Sequence, residues 1–237
     1  MRRNFRRTAG ISVLCVVLMS VFLLGLLANK AADVYSMSRI NESRVCIIID
    51  PGHGGVDGGA VSCTGVYESH INLQISLRLN DLMKLLGYKT KMIRTDDISV
   101  YNSGETIAEK KISDLKERVR MINETENGVL ISIHQNYFQD ARYHGAQVFY
   151  TAGSQDFARK VQSLLLNTLN PDSNRKVKKA SGIYLMDHLK CPGILVECGF
   201  LSNHSEENKL RDPDYQKRLC CVIASGTVQY INNSALA

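Results

Sequence analysis

The amino-acid sequence predicts an α/β fold with a mostly parallel central sheet flanked by helices. Three observations carry this prediction. Short apolar runs rich in β-branched residues, VCIIID (Val45 to Asp50), VLISIH (Val129 to His134) and GILVE (Gly193 to Glu197), read as strands buried on both faces, as in parallel sheets. Longer amphipathic segments alternate with them and supply the crossovers that parallel strands require. A cluster of glycines, Gly52, Gly54, Gly55, Gly58 and Gly59, follows the first run directly. It lies where the ligands of open α/β sheets collect, past the carboxyl end of a strand.

The chain has 237 residues, of which 44% are hydrophobic and 22% charged, enough for one domain with a sizeable core and a short appendage. Its formal charge of +6 is concentrated at the start, in Arg2, Arg3, Arg6 and Arg7; from position 8 onward 25 basic residues face 23 acidic ones. No Lys/Arg stripe with interleaved aromatics is present, which argues against nucleic-acid binding. The seven cysteines form no CxxC pair, so neither a disulfide scaffold nor a cysteine-rich zinc site is supported. Cys46, Cys191 and Cys198 fall in or beside apolar runs and read as reduced, small hydrophobes. A bridge involving Cys63 or Cys220 stays open.

Residues 1–30 read as a membrane anchor or signal segment: after the arginines no charged residue occurs from Thr8 to Ala28, a length of about 20 residues that spans a bilayer. The flanking arginines place the N-terminus in the cytoplasm and the rest outside. Without an A-x-A cleavage pattern, an uncleaved anchor is the favoured reading. Residues 31–43 form a polar tether and 44–237 the folded domain. Tyr67 to Leu86 has both strand-like alternation and a helical stripe (Ile71, Ile75, Leu79, Leu82, Leu86). Its length, its lack of Gly or Pro and the following Gly87 decide for helix.

Further along, Lys89 to Ile93 reads as a short strand and Arg94 to Glu109 as a polar loop. Ser113 to Asn123 reads as a helix N-capped by Ser113, with Leu115, Val119 and Ile122 on its apolar face. A fourth strand is expected over Ala146 to Tyr150, a helix over Ser154 to Leu169 and a basic loop over Ser173 to Ala180. The chain should then close with an edge strand over Ser181 to Asp187, the GILVE strand and a helix over Asp214 to Ile231.

Three of the strands carry at their ends a residue able to bind a metal or move a proton: His53, His134 and Glu197. Glu68 opens the first long helix, entering from the glycine loop; a carboxylate there also suits the helix dipole with no further role. A single histidine on a glycine turn is ordinarily a surface residue. Taken together, however, two imidazoles and one carboxylate as ligands, with a second carboxylate left free, make the set a catalytic zinc needs. Such a site activates water and polarises a carbonyl, which is the chemistry of amide hydrolysis. The spacing alone is a weak signal, since the ligands stand 15 and 66 residues apart (53 to 68, 68 to 134) with no HExxH helix. His70 would face away from Glu68, and His144, His188 and His204 sit in polar loops where a solvated imidazole is ordinary.

The motifs IIIDPGHGGVDGGA, YESHINLQISLRL, IRTDD with LKERVRMIN after it, VLISIHQN and GILVECGFLSN occur in this order between Val45 and about Ile231. On these motifs the chain resembles the zinc-dependent N-acetylmuramoyl-L-alanine amidases of bacterial cell-wall metabolism. The resemblance implies a phosphorylase/hydrolase-like α/β domain, a Zn2+ cofactor held by His53, Glu68 and His134, Glu197 as the catalytic carboxylate, and peptidoglycan as substrate. The anchor, the SDLKERVRMINE segment and the lack of a wall-binding module are most similar to the germination-specific branch in spore-forming bacteria. That branch acts on spore cortex outside the cytoplasm, ahead of muramic-δ-lactam formation. Gln135 and Tyr137 stand where the family often has small residues, which bears on the groove, and the stretch from His134 to Ala146 is too short for a plugging helix. Two other readings share these residues. One is a peptidoglycan-binding protein with weak zinc occupancy until an envelope activator protein docks, and the other is a zinc peptidase acting on the stem peptide.

Overall fold

The computed structural model describes residues 45–234 and the isolated positions Met19 and Gly25. The expected anchor over 1–30 and tether over 31–43 therefore lie outside the described residues, apart from those two positions. The chain divides into two units, Met1–Glu42 and Ser43–Ala237, and the second holds the sheet and its helices. Among the described residues no helix is long and apolar enough to cross a membrane.

The apolar runs form the middle of a six-stranded sheet in the order β2-β1-β3-β6-β4-β5. The strands are β1 (Cys46–Pro51), β2 (Lys89–Met92), β3 (Gly128–Asn136), β4 (Gln147–Tyr150), β5 (Lys178–Lys179) and β6 (Gly193–Phe200). β2, β1, β3 and β6 run parallel; β4 pairs antiparallel with β6 and carries β5 on its far side. Ile47, Ile48 and Ile49 are fully buried, as are Val129, Leu130 and Ile131. Burial of such a side chain contributes about 2 kcal/mol, which is why these runs take the central positions. The half-exposed KTKM of β2 takes an edge instead.

Helices cover both faces. On one, α1 (Glu68–Leu85), α3 (Gln155–Thr168) and α6 (Pro213–Asn233) pack together; on the other lie α2 (Ile107–Asn123) and the short α4 (Tyr184–Asp187). The latter face is sealed by Ile48, Leu130 and Leu195 of the sheet against Ile122, Leu185 and Met186. α1 buries Ile71, Ile75, Leu79 and Met83 at helical spacing, so the strand-like alternation in this segment is incidental. Its end is a Schellman motif: Gly87 at φ 87° donates to Lys84 O (2.9 Å) and Tyr88 to Met83 O (3.0 Å).

Several expectations are corrected. The edge strand falls at Lys178–Lys179, inside the expected basic loop, while Ser181 to Asp187 turns at Gly182 (φ 79°) into α4. The Asp187 carboxylate accepts from the Gly182 N–H (2.9 Å) and holds that turn. α2 starts six residues earlier than Ser113, at Ile107, because Thr106 and Glu109 form a capping box. Ser113 is instead a buried hydroxyl that receives the backbone N–H groups of Asn102 and Ser103 (3.2 Å each). Leu115 is exposed, and the buried side of α2 carries Arg118 beside Ile122. A further helix, α5 (His204–Arg211), capped by the Asn203 side chain, precedes α6. β3 and β6 run past His134 and Glu197 to Asn136 and Phe200, so neither residue closes its strand; the register shifts between His134 and Asn136. Cys46, Cys63, Cys191, Cys198, Cys220 and Cys221 are all free thiols, which closes the possibility of a bridge among them.

Candidate metal centre

The sheet delivers the four sequence-derived residues to one rim. β1 ends at Pro51, and the chain turns through Gly52 into His53, whose φ of 61° is the left-handed region that a β-carbon disfavours. Two buried guanidiniums hold this turn by its carbonyls. Arg118 donates to Pro51 O (2.9 Å) and His53 O (2.6 Å), and Arg94 donates to Pro51 O (3.0 Å), Gly52 O (2.9 Å) and Ser69 O (3.0 Å). Arg118 is neutralised by Asp50 and Asp114. Arg94 has no such carboxylate in contact among the described residues, and burial together with the neighbouring Arg118 charge lowers its pKa to about 10, so it stays cationic.

Glu68, the first residue of α1, is 3% exposed, and its carboxylate stands between the two imidazoles. His53 Nε2 lies 3.3 Å from Oε2 and His134 Nδ1 3.1 Å from Oε1. The same oxygens accept from the Ala60 N–H (3.0 Å), the Gln135 N–H (3.0 Å) and the Asn72 side chain (3.2 Å). Burial works against the Glu68 anion, but the hydrogen bonds and charges of His134 and His53 hold its pKa well below the usual carboxylate range. His53 is turned by Asp57, whose Oδ2 is 2.9 Å from Nδ1 and whose Oδ1 pairs with Lys111 Nζ at 2.7 Å. Burial opposes a charged imidazole there, yet the bonds to Asp57 and Glu68 raise the His53 pKa to about 9.

One ligand atom from each of His53, Glu68 and His134 falls within 4.8 Å of the others. Two donors about 2.0–2.1 Å from a tetrahedral ion stand about 3.4 Å apart. Each imidazole nitrogen is near that distance from a Glu68 oxygen, His53 from Oε2 and His134 from Oε1, so the donor set fits a zinc after a small adjustment of the side chains. Glycines keep the centre open: a Cβ on Gly52 would meet the His134 ring at 2.3 Å, and one on Gly59 would meet Glu68 Oε2 at 2.7 Å and His53 at 2.8 Å.

Glu197 is the cross-strand partner of His134 in the parallel β3–β6 pair, and both face the same rim. Its Oε2 is buried with no hydrogen-bond partner among the described residues. Burial raises the Glu197 pKa to about 7; the His134 ring counters this and the Glu68 carboxylate reinforces it. A carboxyl so placed exchanges a proton near neutral pH, as a general base requires.

The other histidines stay apart from this rim. His70 pairs with Asp97 on the surface (3.0 Å), His144 is exposed, and His188 stacks on Tyr184. His204 does not lie in a loop; it opens α5. Of the two departures noted in the sequence, Gln135 is buried beneath the centre, its amide donating to Asn72 Oδ1 (3.1 Å), and only Tyr137 is exposed. Gln135 therefore supports Glu68 and does not shape the groove. Asp57, Asn72, Arg94, Lys111 and Arg118 contact the centre or its turn and are positions that strand-end reasoning did not reach. The LKERVRMIN and IRTDD motifs contain both arginines, and those motifs were the available signal.

The family model described as N-acetylmuramoyl-L-alanine amidase matches residues 47–229. A germination-specific N-acetylmuramoyl-L-alanine amidase of Bacillus subtilis (strain 168) is 37% identical over 188 residues, covering 78% of each chain. Among solved structures, the CwlD amidase from Clostridioides difficile in complex with the GerS lipoprotein is 34% identical with a TM-score of 0.77, over 81% of this chain and all of that one. An N-acetylmuramoyl-L-alanine amidase from Clostridium difficile 630 is 32% identical with a TM-score of 0.70, with the same coverage. The sheet order, the rim of His and Glu side chains and these matches agree, and the chain belongs to the N-acetylmuramoyl-L-alanine amidase family.

Proposed function

We propose that this chain is a zinc amidase that cleaves the bond between the lactyl carbonyl of N-acetylmuramic acid and L-alanine in peptidoglycan, with spore cortex as its substrate. His53, Glu68 and His134 hold the ion and Glu197 is the catalytic carboxylate. The observation that carries this reading is the convergence of three ligand atoms within 4.8 Å beside a buried carboxyl oxygen that has no partner among the described residues. A zinc ion bound there supplies Lewis acidity and lowers the pKa of a water ligand to about 7. Glu197 takes the proton of the attacking water and delivers it to the departing alanine nitrogen, which leaves as an amine. Asp57 fixes the orientation of the His53 ring, Glu68 is held in register by the Ala60 and Gln135 amides, and the two arginines keep the His53 turn rigid.

The cortex assignment rests on the germination-specific relative, and a lipoprotein activator is inferred from the partner named for the C. difficile structure. The substrate lies outside the cytoplasm, in keeping with an N-terminal anchor that leaves this domain on the outer side. The test is product analysis. Purified cortex and vegetative peptidoglycan are digested with and without a chelator, and the fragments are identified by mass spectrometry. Free stem peptides beginning with L-alanine, abolished by the chelator and restored by zinc, are expected. Cleavage within the stem peptide would replace this reading with a peptidase.

A further inference from the structure

Outside the centre just described, one other group of side chains among the described residues has the chemistry and spacing of a metal site: Cys63, His204 and Glu207. Cys63 comes from the turn between the glycine loop and α1, while His204 and Glu207 lie in the first turn of α5, 141 and 144 residues later. The Cys63 Sγ is 3.6 Å from His204 Nδ1 and 3.9 Å from Glu207 Oε2. With Zn–S of about 2.3 Å and Zn–N of about 2.0–2.1 Å, a tetrahedral ion sets such a sulfur and nitrogen about 3.6 Å apart. Without an ion the same separations are those of thiol hydrogen bonds, so the three side chains already converge.

The carboxylate is arranged for a ligand as well. Glu207 is fully buried, and its Oε1 is saturated by the hydroxyls of Ser62 (3.1 Å) and Thr64 and by Arg211 Nη1 (3.2 Å). These contacts fix the group and leave Oε2 turned toward the thiol. Outer partners of this kind are what orient a metal-binding carboxylate. Cys63 and His204 are exposed, so an ion has access from solvent.

We propose that Cys63, His204 and Glu207 form a second, three-ligand site for a thiophilic divalent cation, zinc in the first place, separate from the centre at His53. Thiolate, imidazole and carboxylate are zinc donors, and thiolate disfavours calcium and magnesium. Its effect follows from its place. Residues 61–67 are attached to the β6–α5 turn by one backbone bond, Cys63 N–H to Leu201 O at 3.2 Å, and run directly into Glu68. The Ser62 and Thr64 hydroxyls already join this turn to Glu207 of α5; an ion at Cys63 adds coordinate bonds to those contacts and so holds the start of α1, where the carboxylate of the first centre stands, more firmly.

Cobalt(II) separates the two sites, because only the second offers sulfur. The purified full-length chain, kept reduced with a non-thiol reductant, is titrated with cobalt(II) and followed in the near ultraviolet. A sulfur-to-cobalt charge-transfer band saturating at one equivalent is expected. It should be absent in Cys63→Ser, appear only at tenfold or more higher cobalt in His204→Ala, and persist in Cys221→Ser, which alters another exposed thiol. No band in the unaltered chain, or an undiminished band in Cys63→Ser, overturns the proposal. Zinc should also slow amide hydrogen exchange over residues 61–67 in the unaltered chain and not in Cys63→Ser; equal exchange with and without zinc overturns the tether.

Discussion

At the scale of single residues, the site depends on two carboxylates kept in opposite protonation habits a short distance apart. Glu68 receives N–H groups and two imidazoles and stays anionic; Glu197 receives nothing at Oε2 and has its pKa raised by burial to about 7. Environments that push two acids apart in this way suit the separate roles proposed for them, ligand and proton carrier. Glu197→Gln should therefore keep its zinc, measured by metal analysis, and lose on the order of 10²–10⁴-fold in kcat, the usual contribution of a positioned general base. Full activity in that variant would end the assignment. Asp57→Asn tests the outer contact. Without the anion at His53 Nδ1, zinc affinity should weaken by about 10–100-fold in chelator competition, with kcat at saturating zinc much less affected.

At the scale of elements, α1 matters because its first residue is a candidate ligand, and its other end is set by Gly87 at φ 87°. Gly87→Ala places a β-carbon in the left-handed region and should cost about 1–2 kcal/mol in urea unfolding while leaving activity at low temperature unchanged. An unchanged midpoint would mean that the Schellman turn relaxes freely. The same elements show what a sequence reveals. VCIIID, VLISIH and GILVE were legible because runs of buried β-branched side chains leave no other place than the middle of a parallel sheet, and their ends bring the candidate residues to one rim. The KK strand, α4 and α5 were not. Two exposed lysines pair only because Phe149 and Tyr150 stand beside them, and a glycine with positive φ turns Ser181 to Asp187 out of the sheet. HSEENKLR has no apolar stripe, and the burial of Glu206 and Glu207 depends in large part on partners far away in the chain, the Gly145 N–H and the Ser62 hydroxyl, beside the nearby Phe200 N–H and Arg211. Arg94 and Arg118 escaped notice for the same reason, since the carbonyls they hold belong to a different element.

At the scale of the whole molecule, one buried ion pair couples the site to the stability of the fold. Asp50, 1% exposed on β1, binds Arg118 of α2 and accepts from Ser132 of β3 (2.7 Å), so three elements meet at one carboxylate. Burial alone would raise its pKa; the Arg118 charge and the Ser132 hydroxyl outweigh burial and hold it below the ordinary value. An acid whose folded pKa is depressed gives its stability in full above the unfolded value, about 3.9, and loses it as pH falls through the folded value. Glu68 and Asp57 are shifted the same way and act in the same range. Urea unfolding of the metal-free chain should therefore show a steep fall below about pH 4, and above about pH 5 a decline with rising pH, because folded Glu197 (about 7) and His53 (about 9) keep protons that the unfolded chain releases earlier. Asp50→Asn should be less stable by about 3 kcal/mol at neutral pH, since it leaves Arg118 with Asp114 alone, and its acid slope should be shallower by up to about 1.4 kcal/mol per pH unit, one proton's share. If the two slopes coincide, Asp50 does not change its protonation between the folded and unfolded chain. The acid sensitivity of the fold would then come from the other depressed acids, Glu68 and Asp57 at the centre and the buried Glu207 on α5, and zinc at the centre would be expected to shift the share of the first two.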